Sequence, residues 1–466
     1  MKRFLLTVLM MIAMMSLLFA AEAAGKKSGL FTYELKGNGT AVITKYDWNA
    51  NKNEDVYIPR MIDGYIVTEI GENAFSDKTA SLQNIVGSKV VIIIPDTVKI
   101  IGAKAFFCSN ITSADIPVSV ELIGEGAFAG CRYLTQFYVN EGNPTYTTID
   151  GVLFNKKEKM LVAYPYWRKL RYHVPKGILS IGGYAFYGCG YGNESIGAYL
   201  GLSFGSTITN IGDFAFAYAK LIDHYDFPSE LREIGDYAFY QARGLEYLEF
   251  NNKLQYIGKY AFSEAELRNK ELLLPGSVIE IGEGAFSGLD TNYTRLKVDL
   301  SNTKITKLPS YVFFKNVFQY VKLPNTLEII ERSAMEQMEG SVVVPASVKH
   351  IEDKAFFYGS GELTFAKNSC LISIGNKAFA GYDFFYHKEL VLPTKLVEIG
   401  NEAFLSAEDL EVLCIPNSVS KIGDALCDRA KITLQVEAGS YASIYASENG
   451  YKTKKAGSDD TSWLNS

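Results

Sequence analysis

The chain has 466 residues, 48% of them hydrophobic and 21% charged, with a formal net charge of −6. That apolar content can fill a continuous core, and the mild negative balance argues against non-specific nucleic-acid binding. Length alone suggests two to four globular domains, but an internal repeat overrides that reading.

Residues 1–23 read as a secretory signal peptide. Lys2 and Arg3 form a basic start, residues 4–19 an apolar run, and Ala21-Glu22-Ala23 a small-x-small cleavage site. The run is short for a span of about 20 residues, and no later stretch is apolar enough to cross a bilayer. The expectation is an exported chain with no membrane span once mature. Residues 24–69 read as an N-terminal β cap, in which 31–35 and 41–44 alternate around Gly37-Asn38-Gly39 as a hairpin. Residues 47–53 have the oxygen spacing of a calcium loop. Lys52 stands where that loop needs Gly and Ile58 where it needs Glu, so a polar turn is expected.

From residue 70 one phrase returns. Its cleanest copy is Ile281-Gly282-Glu283-Gly284-Ala285-Phe286. Others stand at 70–75, 101–106, 123–128, 181–186, 211–216, 234–239, 257–262, 374–379 and 399–404, with looser copies starting at Leu308, Ile330, Ile351 and Ile422. Most of these fourteen copies start 21–25 residues apart, the period of a solenoid. Six residues before the Ile comes a proline in nine copies, from Pro95 to Pro416. Proline cannot donate to a ladder and so ends a strand. The residues before it alternate, as in Tyr320-Val321-Lys322-Leu323, giving a short strand with one face in and one out. The Gly of the phrase is read as a tight corner or a close approach of backbones. The Ala-Phe pair fills the core between coils, where burying one Phe and one Ile contributes about 3–6 kcal/mol per coil.

The composite Leu-x-x-Val-x-Ile-Pro-x-Ser-Val-x-x-Ile-Gly-x-x-Ala-Phe-x-x-Cys, nearly whole at residues 111–131, resembles the BspA-type leucine-rich repeat of bacterial surface antigens. The resemblance covers roughly residues 60–436. It implies an α/β-type but β-rich repeat fold: a right-handed leucine-rich repeat solenoid of about fourteen coils, with short strands on the concave face. Receptor-type leucine-rich repeats carry an Asn ladder where this chain has Pro.

The solenoid is expected over 70–436, interrupted by a β-hairpin at 143–165. There residues 149–154 and 160–164 flank the charged turn 155–159, on the side of the stack. Smaller insertions lie near 78–90, 191–206 and 290–303. Residues 437–466 read as a C-terminal cap, with a short helix at 440–449 and a disordered tail.

No catalytic signature appears: there is no Gly-x-Ser-x-Gly elbow, His-Glu-x-x-His or phosphate loop. The four histidines, His173, His224, His350 and His387, have no ligand spacing. No Cys-x-x-Cys occurs, and neither metal nor cofactor is expected. Cys108, Cys131 and Cys189 occupy a site that other copies fill with Ala, such as Ala219 and Ala242, which marks a small buried core position. Free thiols are expected there, with Cys108 and Cys131 the pair to inspect first because their coils adjoin.

What remains is surface. Outward positions on the middle strands read Asp223, His224, Asp226, then Glu246, Tyr247, Glu249, then Glu271. Strands stacked about 4.8 Å apart would align them into an acidic, Tyr-bearing stripe, a candidate partner-binding face. Other outward residues, including Gln136, Tyr138, Gln319, Tyr320 and Lys322, are mixed and give no clear chemistry. The resemblance implies a non-enzymatic, monomeric bacterial protein, secreted or at the cell surface. Its expected task is binding a protein ligand, in adhesion to host matrix or other cells. Glycan binding through the aromatic surface and a structural envelope scaffold are the alternatives.

Overall fold

In the computed structural model the described residues are 25–51, 54–76, 89–166, 171–190, 200–222, 225–245, 248–268, 270–290, 295–385 and 387–455. The signal-peptide reading, the end of the tail and part of each smaller insertion lie outside them. The chain divides into two units, 1–168 and 169–466. Both are made of the same coil, a β-rich parallel solenoid of about 16 turns with almost no helix.

One coil of the second unit shows how sequence dictates the turn. In the strand Val317–Lys322, Phe318 and Val321 point inward and Gln319 and Lys322 outward. Pro324 follows, and its carbonyl accepts the N–H of Leu327 at 3.2 Å. That turn swings Leu327 into the core, where it is fully buried. The two-residue strand Ile329–Ile330 then pairs in parallel with Lys307–Leu308 and His350–Ile351. The same proline-to-apolar turn closes at Val98, Val120, Leu231, Val278, Val348, Leu396 and Val419. A Ser or Thr two residues after the proline ties coil to coil, as where Ser277 Oγ donates to the Leu254 carbonyl at 2.6 Å and Ser418 Oγ to that of Leu396 at 2.6 Å.

The phrase itself divides two jobs between two positions. Its glycine makes the close approach: a Cβ on Gly282 would lie 2.4 Å from the backbone nitrogen of Lys259, one coil back. The corner falls two residues later, on the left-handed residue of the phrase. Non-glycine side chains usually carry it, such as Tyr260 (φ 52°), Lys377 (φ 56°) and Ala425 (φ 53°). Between glycine and corner runs a side-chain ladder that the sequence reading missed. Asp213 Oδ1 accepts the N–H of Asp236 at 2.8 Å, and Asp236 Oδ1 that of Lys259 at 2.7 Å. Asp353, Asn376 and Asn401 repeat it into Asp424. The Asx ladder is present after all, moved to the residue after the phrase's glycine.

The phenylalanines stack through each core. In the first unit Phe75, Phe106 and Phe128 stand 5.0 and 5.2 Å apart. In the second, Phe186, Phe216, Phe239 and Phe262 follow at 4.9, 5.0 and 5.0 Å.

Two differences from the sequence reading concern the first unit and the ends. The strand Thr40–Tyr46 closes the expected hairpin with Phe31–Leu35 but also pairs in parallel with Tyr65–Ile70, putting Ile43 in register with Ile70. At the other end Thr453–Lys455, after the helix Tyr441–Glu448, adds a parallel strand to Thr433–Val436. Both strands extend the stack beyond the phrase, which accounts for a count above fourteen. The interruption is not a simple side hairpin either. Asp150-Gly151 takes a left-handed turn and splits it into three antiparallel strands, Tyr146–Ile149, Val152–Asn155 and Met160–Ala163. Val152–Asn155 is buried throughout, and Tyr146 Oη accepts the N–H of Ile123 at 2.7 Å. The meander is therefore seated on the last phrase of the first unit.

Candidate binding face

The acidic stripe lies in the second unit. Asp223, His224, Glu246 and Tyr247 fall outside the described residues. The strands Tyr225–Asp226 and Leu248–Glu249 pair in parallel with Asp226 opposite Glu249, the register the stripe requires. Glu249 is exposed. At Glu271 the stripe meets a cation: it is opposite Lys297, whose Nζ lies 3.0 Å from its carboxylate. Hydrogen bonding to Glu271 raises the Lys297 pKa above its ordinary value. The acidic character therefore does not continue into the next coil.

Beyond Lys297 the outer face changes. The strands Glu271–Leu273, Leu296–Asp299, Val317–Lys322, Glu339–Val344 and Leu363–Phe365 form one parallel sheet. One outward row reads Glu271, Lys297, Tyr320, Ser341. The next begins Leu273, Asp299, Lys322. Asp299 is 3.3 Å from Lys322, whose ammonium lies 5.3 Å from the centre of the Tyr320 ring. Burial pushes the Asp299 carboxyl up, but Ser301 and Lys322 outweigh it and hold its pKa below the usual range. The charges of this face are thus spent on one another. Leu273 and Val343, each 55% exposed, stand among them, and Val317 of the same sheet is exposed too. Tyr320, Lys322, Val343, Pro345 and Glu362 line a groove of about 460 Å³ on this face. Such an array offers contact area and shape.

Gln319, Tyr320 and Lys322 gave no clear chemistry in sequence because the groove is made by stacking. Ser341 follows Tyr320 by one coil, and Val343, two residues on, reaches the groove diagonally from Tyr320; only the register brings them to one place. The usable signal was Val343 and Leu273 at positions where the alternation calls for polar residues.

The cysteines behave as core residues. All six are free thiols, and five are buried. Cys131 Sγ donates to the Phe106 carbonyl at 3.0 Å, and burial pushes its pKa up to about 12. Cys370 is half-buried. His350 Nδ1 is 2.8 Å from Ser373 Oγ, and His387 Nε2 is 3.7 Å from Glu362. Among the described residues no three His, Cys, Asp or Glu converge as metal ligands, and no helix is long and apolar enough to cross a membrane. Asp47 caps its own turn, its Oδ1 accepting the N–H of Asn49 at 3.2 Å and of Ala50 at 3.3 Å.

Comparison with known proteins settles the family. The family described as BspA type Leucine rich repeat region (6 copies) matches residues 43–162, 169–294 and 306–433. The chain belongs to the BspA-type leucine-rich repeat family. Its fold is similar to a leucine-rich repeat protein from Eubacterium ventriosum, at 17% identity and a TM-score of 0.41, covering 77% of this chain and 94% of that one. It is also similar to the pneumococcal vaccine antigen PcpA, at 16% identity and a TM-score of 0.34, covering 93% and 99%. A leucine rich cell surface protein from Faecalibacterium prausnitzii is similar at 19% identity and a TM-score of 0.34, covering 86% and 94%. No curated protein sequence matches. In this BspA-type chain, the proline ends the long strand and the glycine seats the phrase against the previous coil.

Proposed function

We propose that this is an exported bacterial surface protein that binds other proteins through the outer face of its long strands. Its role is adhesion to host matrix proteins or to other cells. The observation that carries the reading is the groove beside Tyr320 and Val343, where apolar and aromatic surface is exposed on an otherwise charge-paired sheet. Extended strand faces of stacked repeats are the surfaces solenoids use for binding, and a central aromatic anchor carries much of an interface's energy. The acidic stripe that includes Glu249 is proposed as a steering flank, raising the on-rate of a basic partner. No catalytic role is proposed.

The test is surface plasmon resonance of the mature chain over immobilised extracellular-matrix proteins and whole co-resident bacteria. A Tyr320→Ala, Val343→Ser double variant should release a bound partner at least tenfold faster. Its stability should change by only about 0.5 kcal/mol per site, because both positions face outward. An unchanged off-rate would overturn the reading. Equal binding of neutral oligosaccharides by both forms would favour the glycan alternative.

A further inference from the structure

A second surface in the same unit lies on the phrase side of the coils. Every phrase there places one residue at its left-handed corner, and in four successive coils that residue is aromatic: Tyr184, Phe214, Tyr237 and Tyr260. The rings stack at 4.8, 4.8 and 5.2 Å. The column then breaks. The next corner is Gly284, and the one after it is Tyr311. Tyr260 rests on Gly284 so closely that a Cβ there would come 2.2 Å from its ring.

A neighbouring column breaks at the same level. Tyr240 is followed by Ser263 and Ser287, then by Phe314. Both serines are buried and bonded to each other, Ser287 Oγ donating to Ser263 Oγ at 2.8 Å. The missing rings leave a notch of about 350 Å³. The serines form its floor, and Tyr240, Tyr260, Tyr311 and Phe314 form its walls.

Two carboxylates and one ammonium stand at the notch. Glu264 lines it, accepting a hydrogen bond from Gln241 at 2.6 Å. Glu283 stands beside it, its carboxylate accepting a hydrogen bond from the Tyr260 hydroxyl at 3.0 Å. Burial raises the pKa of Tyr218 and Tyr240, and the Glu264 charge adds to both shifts. The wall already shows what it attracts: the Lys315 ammonium lies 5.0 Å from the centre of the Phe314 ring. Ring faces are negative, so aromatic walls and a carboxylate favour the same occupant, a cation.

We infer that the notch at Gly284 binds a lysine or arginine side chain of an extended, basic protein segment. The ring walls receive the aliphatic stem and the cationic head, and Glu264 pairs with the head. The serine floor limits depth to one side chain. A neutral sugar would also meet aromatic edges and hydroxyls, but it would leave Glu264 without a counter-charge. This site stands apart from the strand-face groove and holds whether or not that groove binds protein.

The test is fluorescence anisotropy of the mature chain with labelled lysine-glycine and arginine-glycine repeat peptides, and with a glutamate-glycine repeat and a labelled neutral oligosaccharide as comparisons. The basic peptides should bind and the acidic one should not. Glu264→Gln should weaken binding at least tenfold, and Tyr240→Leu about fivefold. Glu230→Gln, which removes a surface carboxylate paired with Lys253 elsewhere on the coil, should leave binding unchanged. Equal loss in Glu230→Gln and Glu264→Gln would overturn the site as mere surface charge. Oligosaccharide binding insensitive to Glu264→Gln, or no binding of any basic peptide, would overturn it as well. Strand-face variants at Tyr320 and Val343 should not alter any of these affinities, which keeps this result separate from the adhesion reading.

Discussion

Gly282 and Ala425 sit in equivalent phrases and ask opposite things of a side chain. Gly282 abuts the backbone of the previous coil, with the Lys259 nitrogen 2.4 Å from where a Cβ would stand. Backbone cannot swing aside as a flexible side chain can, so Gly282→Ala should cost about 1–3 kcal/mol through overpacking. Ala425 is exposed and left-handed, with φ at 53°. Ala425→Gly relieves about 1–2 kcal/mol of left-handed strain and gives back about 0.4–1 kcal/mol to the freer unfolded chain. The net gain expected is between zero and about 1.6 kcal/mol. Native-state hydrogen exchange in the flanking coils measures both, and like signs for the two substitutions would refute the division of labour. Sequence alone could not divide it, because both jobs are ones glycine commonly performs. The proline and the inward Val or Leu three residues later were legible, since each has a single physical reading.

At the scale of the coil, stability is a matter of neighbours. Phe239 is 2% exposed and lies 5.0 Å from both Phe216 and Phe262. Phe239→Ala should cost about 3–5 kcal/mol by opening a cavity. The loss of exchange protection should centre on the adjoining coils, since each repeat couples to its neighbours; uniform loss along the unit would contradict this. The tyrosines add a pH dependence. Burial, followed by the Glu283 hydrogen bond and charge, pushes the Tyr260 pKa up to about 12, and burial also raises Tyr382 and Tyr445. An unfolded phenol ionises near 10. The folded state therefore keeps protons that the unfolded state releases, and stability present below pH 10 should fall as pH rises from 10 through about 12. Denaturant midpoints across that range test it. A flat profile, with all 30 tyrosines titrating together near 10, would show that these phenols are not held neutral. The meander at Tyr146–Ala163 was readable only as strands and a turn. That it would be seated on the phrase at Ile123 depends on Tyr146 Oη reaching a backbone N–H 23 residues away in sequence.

For the molecule as a whole, the repeat period and the phrase made the family and the solenoid legible from sequence, because one-dimensional stacking follows from local spacing. The candidate binding face was far less so. Which outward residues become neighbours depends on register and bulges, as where Leu296 faces Phe318 and Lys297 then faces Tyr320. The stripe read from sequence was drawn from outward positions, their acidity and one tyrosine, Tyr247, without the register that decides what faces them. The pairing of Glu271 with Lys297 and of Asp299 with Lys322 shows charge being cancelled across coils. The apolar exposure at Val343 and Leu273 is what that cancellation leaves available. The measurement that bears most directly on this account is photoactivated carbene footprinting of the chain from residue 24 onward, free and with a bound protein ligand selected by the plasmon-resonance test. Labelling at Tyr320, Lys322 and Val343 should drop on binding while the meander at Tyr146–Ala163 labels equally in both states. Unchanged labelling at those three residues, with the loss falling elsewhere, would contradict a strand-face binding site.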